Sequence, residues 1–135
     1  MRHQNSVFHE VLKHIPWALF DASVKRHDAD ARVRRLSTKS QLVALLYAQL
    51  SGASSLREIE AGLQSHEARL YHLGAKSVRR STLSDANALR PAAMFTELFE
   101  EMMRRAHRGL RRALAETTYL IDSTWLRLDA RSVQW

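Results

Sequence analysis

The sequence predicts a mainly α-helical domain over residues 1–115, followed at 116–135 by the opening strand or hairpin of a second fold. Three observations carry this. Apolar residues recur at spacings of three and four through most of the chain, the period of a helix with one buried face. Helix start and stop signals at Ser37, Gly52, Ser55-x-x-Glu58 and Pro91 punctuate those stretches at helical lengths. From Tyr119 to Leu128, β-branched and aromatic residues then displace Ala, Leu and Glu, and Asp122 closes an apolar run.

The composition bounds the function. A chain of 135 residues holds one core, or one core and the first piece of another. No apolar run approaches the ~20 residues a membrane span needs, and no secretory leader follows Met1. Cysteine is absent, which excludes a disulfide scaffold and thiolate metal sites and suits a cytoplasmic protein. Lys and Arg number 21 against 14 Asp and Glu, a net charge of +7. Arginine dominates the basic set, and its planar fork suits phosphate and guanine. All but two of the basic residues precede Glu116, so the basic character belongs to the helical part. A solvated basic surface and a nucleic-acid partner both fit that balance.

Taken in order, Asn5 or Ser6 can cap a first helix whose apolar face is Val7, Phe8, Val11, Leu12 and Ile15. Pro16 ends it, and a second short helix resumes over Trp17–Lys25. His9 and His14 are five apart, which turns them away from each other and excludes an H-E-x-x-H zinc site. Lys25 to Arg35 is a polar connector that suits a phosphate backbone or a plain solvated loop. Ser37 or Thr38 caps a helix to about Leu50, apolar most of the way round and so central to the domain, with Gly52 as a left-handed C-cap. Ser55 and Glu58 form a capping box for the next helix, with Leu56, Ile59 and Leu63 on its apolar face. This outline fits a helix-turn-helix as well as a plain helical hairpin. Leu70 to Gly74 is a short apolar segment that ends in a turn.

The stretch from Lys76 to Pro91 carries the candidate binding residues. Ser81 or Thr82 caps a helix to Arg90, with Arg79 and Arg80 just before it and Ser84 in its first turn. Free N–H groups, hydroxyls and arginines at a helix start suit phosphate, and Asn87, one turn on, can read an adenine edge. Arg90 closes the set. The same pattern also describes an ordinary capped surface helix. From Ala92 the longest helix runs to about Ala113, with Phe95, Leu98, Phe99, Met102, Ala106 and Leu110 as its buried stripe. Glu100–Arg104 and Glu101–Arg105 are expected i,i+4 pairs. Asp122 fits two roles, a metal ligand or general base on a rigid strand and a turn cap.

Several of these blocks resemble the N-terminal domain of IS-four-type insertion-sequence transposases. They are Asn5-Ser6-Val7-Phe8 with Ile15-Pro16, Leu45-Leu46-x-x-Gln49-Leu50, and Ser55-Leu56-Arg57-Glu58-Ile59. Arg80-Ser81-Thr82-Leu83-Ser84-Asp85-Ala86-Asn87 with Arg90-Pro91, and Leu120-Ile121-Asp122-Ser123-Thr124, are the most specific. The resemblance implies a helical DNA-binding domain and, after it, an RNase H-like catalytic domain of the DDE class. Its partner would be double-stranded DNA at transposon terminal inverted repeats, and it is compatible with a homodimer in a synaptic complex in the bacterial cytoplasm. Asp122 matches the family's first catalytic Asp, a ligand for one of two divalent ions, Mg²⁺ or Mn²⁺. The second and third acids have no match, since Asp129 is the only acidic residue that follows. The expectation is therefore an N-terminal portion of a transposase that binds transposon-end DNA and holds no stable metal alone. The alternative is a non-catalytic regulator or inhibitor of the full-length enzyme.

The chemistry explains why one Asp does not suffice. Two-metal phosphoryl transfer sets its ions about 3.5–4 Å apart, and one carboxylate with water holds Mg²⁺ weakly.

Overall fold

A computed structural model describes residues 7–113, with side chains as far as Arg108. Seven α-helices and no strand occur among the described residues. The strand expected at 119–128, the boundary expected at 115/116 and the caps expected at Asn5 or Ser6 lie outside them. Contacts divide the chain into Met1–Arg104 and Arg105–Trp135, and the second unit is described only along the last turns of its helix.

Helix α1 spans Val7–Lys13. Its burial falls on Leu12, with Ile15 just beyond, whereas Val7 is exposed, so the expected apolar face is shifted toward the C-terminal end. Pro16 does not merely stop α1; it is the N-cap residue of α2, Trp17–Arg26. The Trp17 indole N–H donates to the Leu12 carbonyl at 3.0 Å, an oxygen that also accepts from the Ile15 N–H at 3.3 Å, and so ties the two helices together. Phe20, Ser23 and Val24 are the buried positions of α2, and Phe20 packs edge-on against Trp17 with centroids 6.2 Å apart.

Helix α3, Thr38–Ser51, begins and ends where its caps require. The Ser37 hydroxyl accepts from the Ser40 N–H at 3.1 Å, and Gly52 takes the left-handed conformation at φ 71° that a side chain would strain. Burial is concentrated in the N-terminal half. Thr38, Ser40 and Gln41 are buried there beside Leu42, Val43 and Ala44, while Leu50 at the other end is exposed. This helix is central, but a polar cluster as well as an apolar face makes it so.

Helix α4, Leu56–Ser65, packs against α3, α5 and α6. Its cap differs from the simple box. Ser55 Oγ accepts from the Glu58 N–H at 3.3 Å, but the Glu58 carboxylate reaches past the N-cap to the Ser54 N–H at 2.7 Å. Gly62 in this helix has a packing reason. A Cβ there would lie 2.7 Å from Tyr47 Cε1 and 2.9 Å from Cζ, so its hydrogen lets the Tyr47 ring lie on the helix backbone. That ring is held by Phe8 on α1, centroids 5.8 Å apart, and by His66, 6.1 Å away. Helix α5, Glu67–His72, buries Leu70 and turns at Gly74, φ 65°.

Helix α6 runs from Arg80 to Leu89 and α7 from Ala93 to Ala113. Arg90 between them is extended, as a residue before proline prefers. Leu83, Leu63, Phe20 and Met94 are almost wholly excluded from water and form the centre of the core. Each such side chain contributes roughly 1.5–3 kcal/mol of burial. Among the described residues, the buried face of α7 follows the expected stripe only at Phe95 and Leu98. Met94 and Leu98 are buried and Phe95 half-buried, whereas Phe99, Met102, Met103 and Ala106 are exposed; the side chain of Leu110 lies outside the described residues. The inward face is rotated by one position because it includes Glu97, which the apolar pattern excludes.

Glu97 faces α2. It accepts from the Ser23 hydroxyl and from His27 Nε2 at 2.9 Å, with Arg26 at 3.3 Å. Ser23 is fully buried. The hydrogen bonds from Ser23 and His27, with the nearby Arg26 charge, hold the Glu97 carboxyl below its ordinary value against the opposing effect of desolvation. Glu101, one turn on, pairs with Arg104 at 2.6 Å, an i,i+3 contact.

Candidate nucleic-acid interface

The residues predicted for DNA contact divide into two groups. Arg79, Arg80, Ser81 and Ser84 are exposed at the first turns of α6, with Thr82 half-buried beside them. The helix starts earlier than the hydroxyl caps imply. Arg79 is the N-cap residue, Arg80 is the first helical residue, and no side chain caps the turn. Ser81 and Thr82 therefore stand within the first turn rather than before it. The N-terminal N–H groups lack the side-chain acceptor that Ser37 supplies at α3 and Ser55 at α4.

Arg90 and Asn87 belong to the second group, a chain of polar contacts running through the buried half of α3. Arg90 Nη1 donates to Gln41 Oε1 at 2.8 Å, and Gln41 Nε2 donates to Asn87 Oδ1 at 2.8 Å. The other Arg90 nitrogen donates to the Leu36 carbonyl and lies 3.4 Å from Asp30 Oδ1. Asp30 Oδ1 in turn accepts from the Thr38 N–H at 2.8 Å and from its hydroxyl at 2.7 Å. The Arg90 side chain is only 8% exposed, so its guanidinium is an internal clamp across α3, α6 and the connector. Burial pushes its pKa below the ordinary arginine value, and the Asp30 carboxylate opposes that shift. Asn87 differs from Arg90 in being exposed while bonded to a buried partner.

The polar connector is the element whose place the sequence left open. Residues 27–37 fold back over α6, with Leu36 buried and Asp28 at φ 52°. Two grooves result. One, about 840 Å³, is lined by Arg32, Arg34 and Arg35 on one side and by Thr82, Asp85, Leu89 and Arg90 on the other. The second, about 490 Å³, brings Arg35 beside Arg79 and Thr82, with Glu67 and Ser77 on its far wall. Ser77 Oγ donates to Glu67 at 2.8 Å, which closes that wall. Arg35 and Thr82 line both grooves, so connector arginines and the start of α6 meet across more than forty residues of sequence.

No group of three or more His, Cys, Asp or Glu able to hold a metal ion occurs among the described residues. Asp122, the predicted catalytic and metal-binding residue, lies outside them. Among the described residues no helix is long and apolar enough to cross a membrane. The contribution of the connector was invisible in its composition, because a run of charges without periodicity looks the same whether it is solvated or folded back. Asp30 accepts from the Thr38 N–H although Ser37 is the N-cap residue, a pairing that no capping spacing specifies.

No curated protein matches the chain, and neither does any solved structure. One family model does match, over residues 3–76, which takes in α1 to α5 and stops short of α6. The match covers more than half of the chain, which therefore belongs to the family described as a domain of unknown function, DUF4372.

Proposed function

We propose that this chain is a DNA-binding module, the N-terminal portion of an insertion-sequence transposase that holds transposon-end duplex DNA. The observation that carries the reading is the meeting of Arg35 with Arg79 and Thr82 at the uncapped start of α6, with Arg32 and Arg34 lining the other groove that Arg35 and Thr82 share. Phosphates are bound by such sets, with arginines supplying charge and helix N–H groups supplying direction. The net charge of +7 favours the same class of partner. The specific blocks around Ser81–Asn87 and Asp122 add the transposase assignment by resemblance.

In this reading Arg79, Arg80, Ser81, Thr82 and Ser84 contact the DNA backbone, and Arg90 positions rather than touches. The intact protein would cleave and join DNA with two Mg²⁺ ions, Asp122 supplying one carboxylate. A fluorescence-anisotropy titration compares terminal-inverted-repeat duplex with random duplex across a salt series. Tighter binding to the repeat and a steep loss of affinity with salt are expected. Binding that ignores salt would defeat the reading, and loss of repeat preference would remove the transposon-end part of it. Asp122→Ala in an intact version should end cleavage while leaving end binding.

A further inference from the structure

Arginine is a donor only, and this fixes more than its own contacts. Because Arg90 Nη1 can only donate, the atom of Gln41 facing it, 2.8 Å away, must be the carbonyl oxygen. The other end of the buried Gln41 amide is then a donor, and the Asn87 atom facing it at 2.8 Å must be an acceptor, Oδ1. Asp30 anchors the far end by holding Arg90, and Gln41 is only 1% exposed, so the orientation is set inside the fold. Asn87 stands at the exposed end, one turn from Ser84, on the polar face of α6 that also carries Arg80.

We propose that Asn87 is a DNA-contacting residue oriented as a hydrogen-bond donor by the relay Arg90–Gln41. It offers its amide nitrogen to an acceptor on duplex DNA: a guanine O6 or N7, a thymine O4, or a phosphate oxygen. A paired contact to adenine needs the side-chain oxygen as well as the nitrogen, and that oxygen is held against Gln41. Gln41 and Arg90 are positioning residues. This inference rests on the DNA-binding reading and replaces the adenine contact expected from the sequence.

Two measurements on the full chain test it. Side-chain amide exchange by NMR reads the orientation without DNA: the Gln41 amide protons should be protected and those of Asn87 should exchange rapidly. The reverse order overturns the proposal. Anisotropy against duplexes selected from a randomised pool reads the contact. Asn87→Ala should weaken binding about tenfold, the size of one lost specific hydrogen bond. A loss confined to one base position identifies a base edge, and a loss uniform over sequences identifies a phosphate.

Gln41→Glu keeps the acceptor for Arg90 but replaces the donor facing Asn87, which turns the Asn87 amide over. Preference at that position should then move to a base that presents an exocyclic amino group, or a phosphate contact should weaken about tenfold. A merely structural role for Gln41 would not move a base preference. Unchanged binding by Asn87→Ala, alongside weakened binding by Arg79→Ala, overturns this inference and leaves the DNA reading standing. A wild-type requirement for adenine N6 at the Asn87 position also overturns it. Absence of any DNA binding by the wild-type chain overturns both.

Discussion

Asp30 accepts two hydrogen bonds from Thr38, one from the backbone N–H at 2.8 Å and one from the hydroxyl at 2.7 Å. The same oxygen lies 3.4 Å from Arg90. One carboxylate thus pins the connector to the start of α3 and to the end of α6, and the arginines between them are held over α6 as a consequence. Removing one member leaves buried polar groups unpaired, which costs more than the contact contributes. Arg90→Ala should destabilise the fold by roughly 2–3 kcal/mol, below the usual range for a fully buried pair because Asp30 is partly solvated. Arg90→Lys keeps the charge but not the fork and should recover only part of this. Urea denaturation measures both, and equal stability of Arg90→Ala and wild type would remove the clamp from the account.

Gly62→Ala is expected to destabilise although alanine favours a helix interior over glycine by about 1 kcal/mol. The added Cβ meets the Tyr47 ring at 2.7–2.9 Å, and Phe8 and His66 limit where that ring can go. Overpacking of this kind costs roughly 1–3 kcal/mol, enough to reverse the sign. In a Tyr47→Ala background the obstruction is gone, and the same substitution should become neutral or stabilising. A double-mutant cycle by thermal melting checks the reversal.

Glu97 makes the α2–α7 contact sensitive to acid. Its carboxyl is held below the ordinary value by the Ser23 and His27 hydrogen bonds, so the folded state favours the charged form. The stabilisation is present above the unfolded-state value, about 4.3 for glutamate, and is lost as pH falls through the lower folded value. Glu97→Gln should therefore be less stable than wild type at pH 7, with the gap closing toward pH 3. Parallel stability profiles for the two proteins would show that Glu97 contributes nothing through its charge.

Arg79→Ala and Arg80→Ala should each weaken DNA binding across all sequences and leave thermal stability unchanged, since both side chains are exposed. Loss of one phosphate contact lowers the slope of log affinity against log salt by about 0.9. Arg35→Ala, on the connector, should behave the same way if the two grooves serve one duplex. An unchanged salt slope for all three would separate these arginines from DNA.

The local signals were legible because each acts within a turn of the residue that carries it. Ser37 and Ser55 cap the helices they precede, Gly52 takes the left-handed turn, and Pro16 separates α1 from α2. The start of α6 differs: Ser81 and Thr82 lie inside the helix, and the extended Arg79 ahead of them is its N-cap residue. On α7 the apolar residues cover too wide an arc to choose a face, and the packing chose Met94 and Leu98 over Phe99 and Met102.

Helical character, the order of the described helices other than α5, basic character and the polar face of α6 were thus determined by the sequence alone; the short helix α5, Glu67–His72, was not. The tertiary structure decided which polar residues turn inward. Glu97 meets Ser23 at a separation of 74 residues, Arg90 meets Gln41 at 49, and Asn87 meets Gln41 at 46. No local pattern specifies such pairs, because a buried polar group is tolerated only where another element supplies its partner. That requirement sets Arg90 in an internal clamp, bonded to Gln41 and Leu36 and beside Asp30.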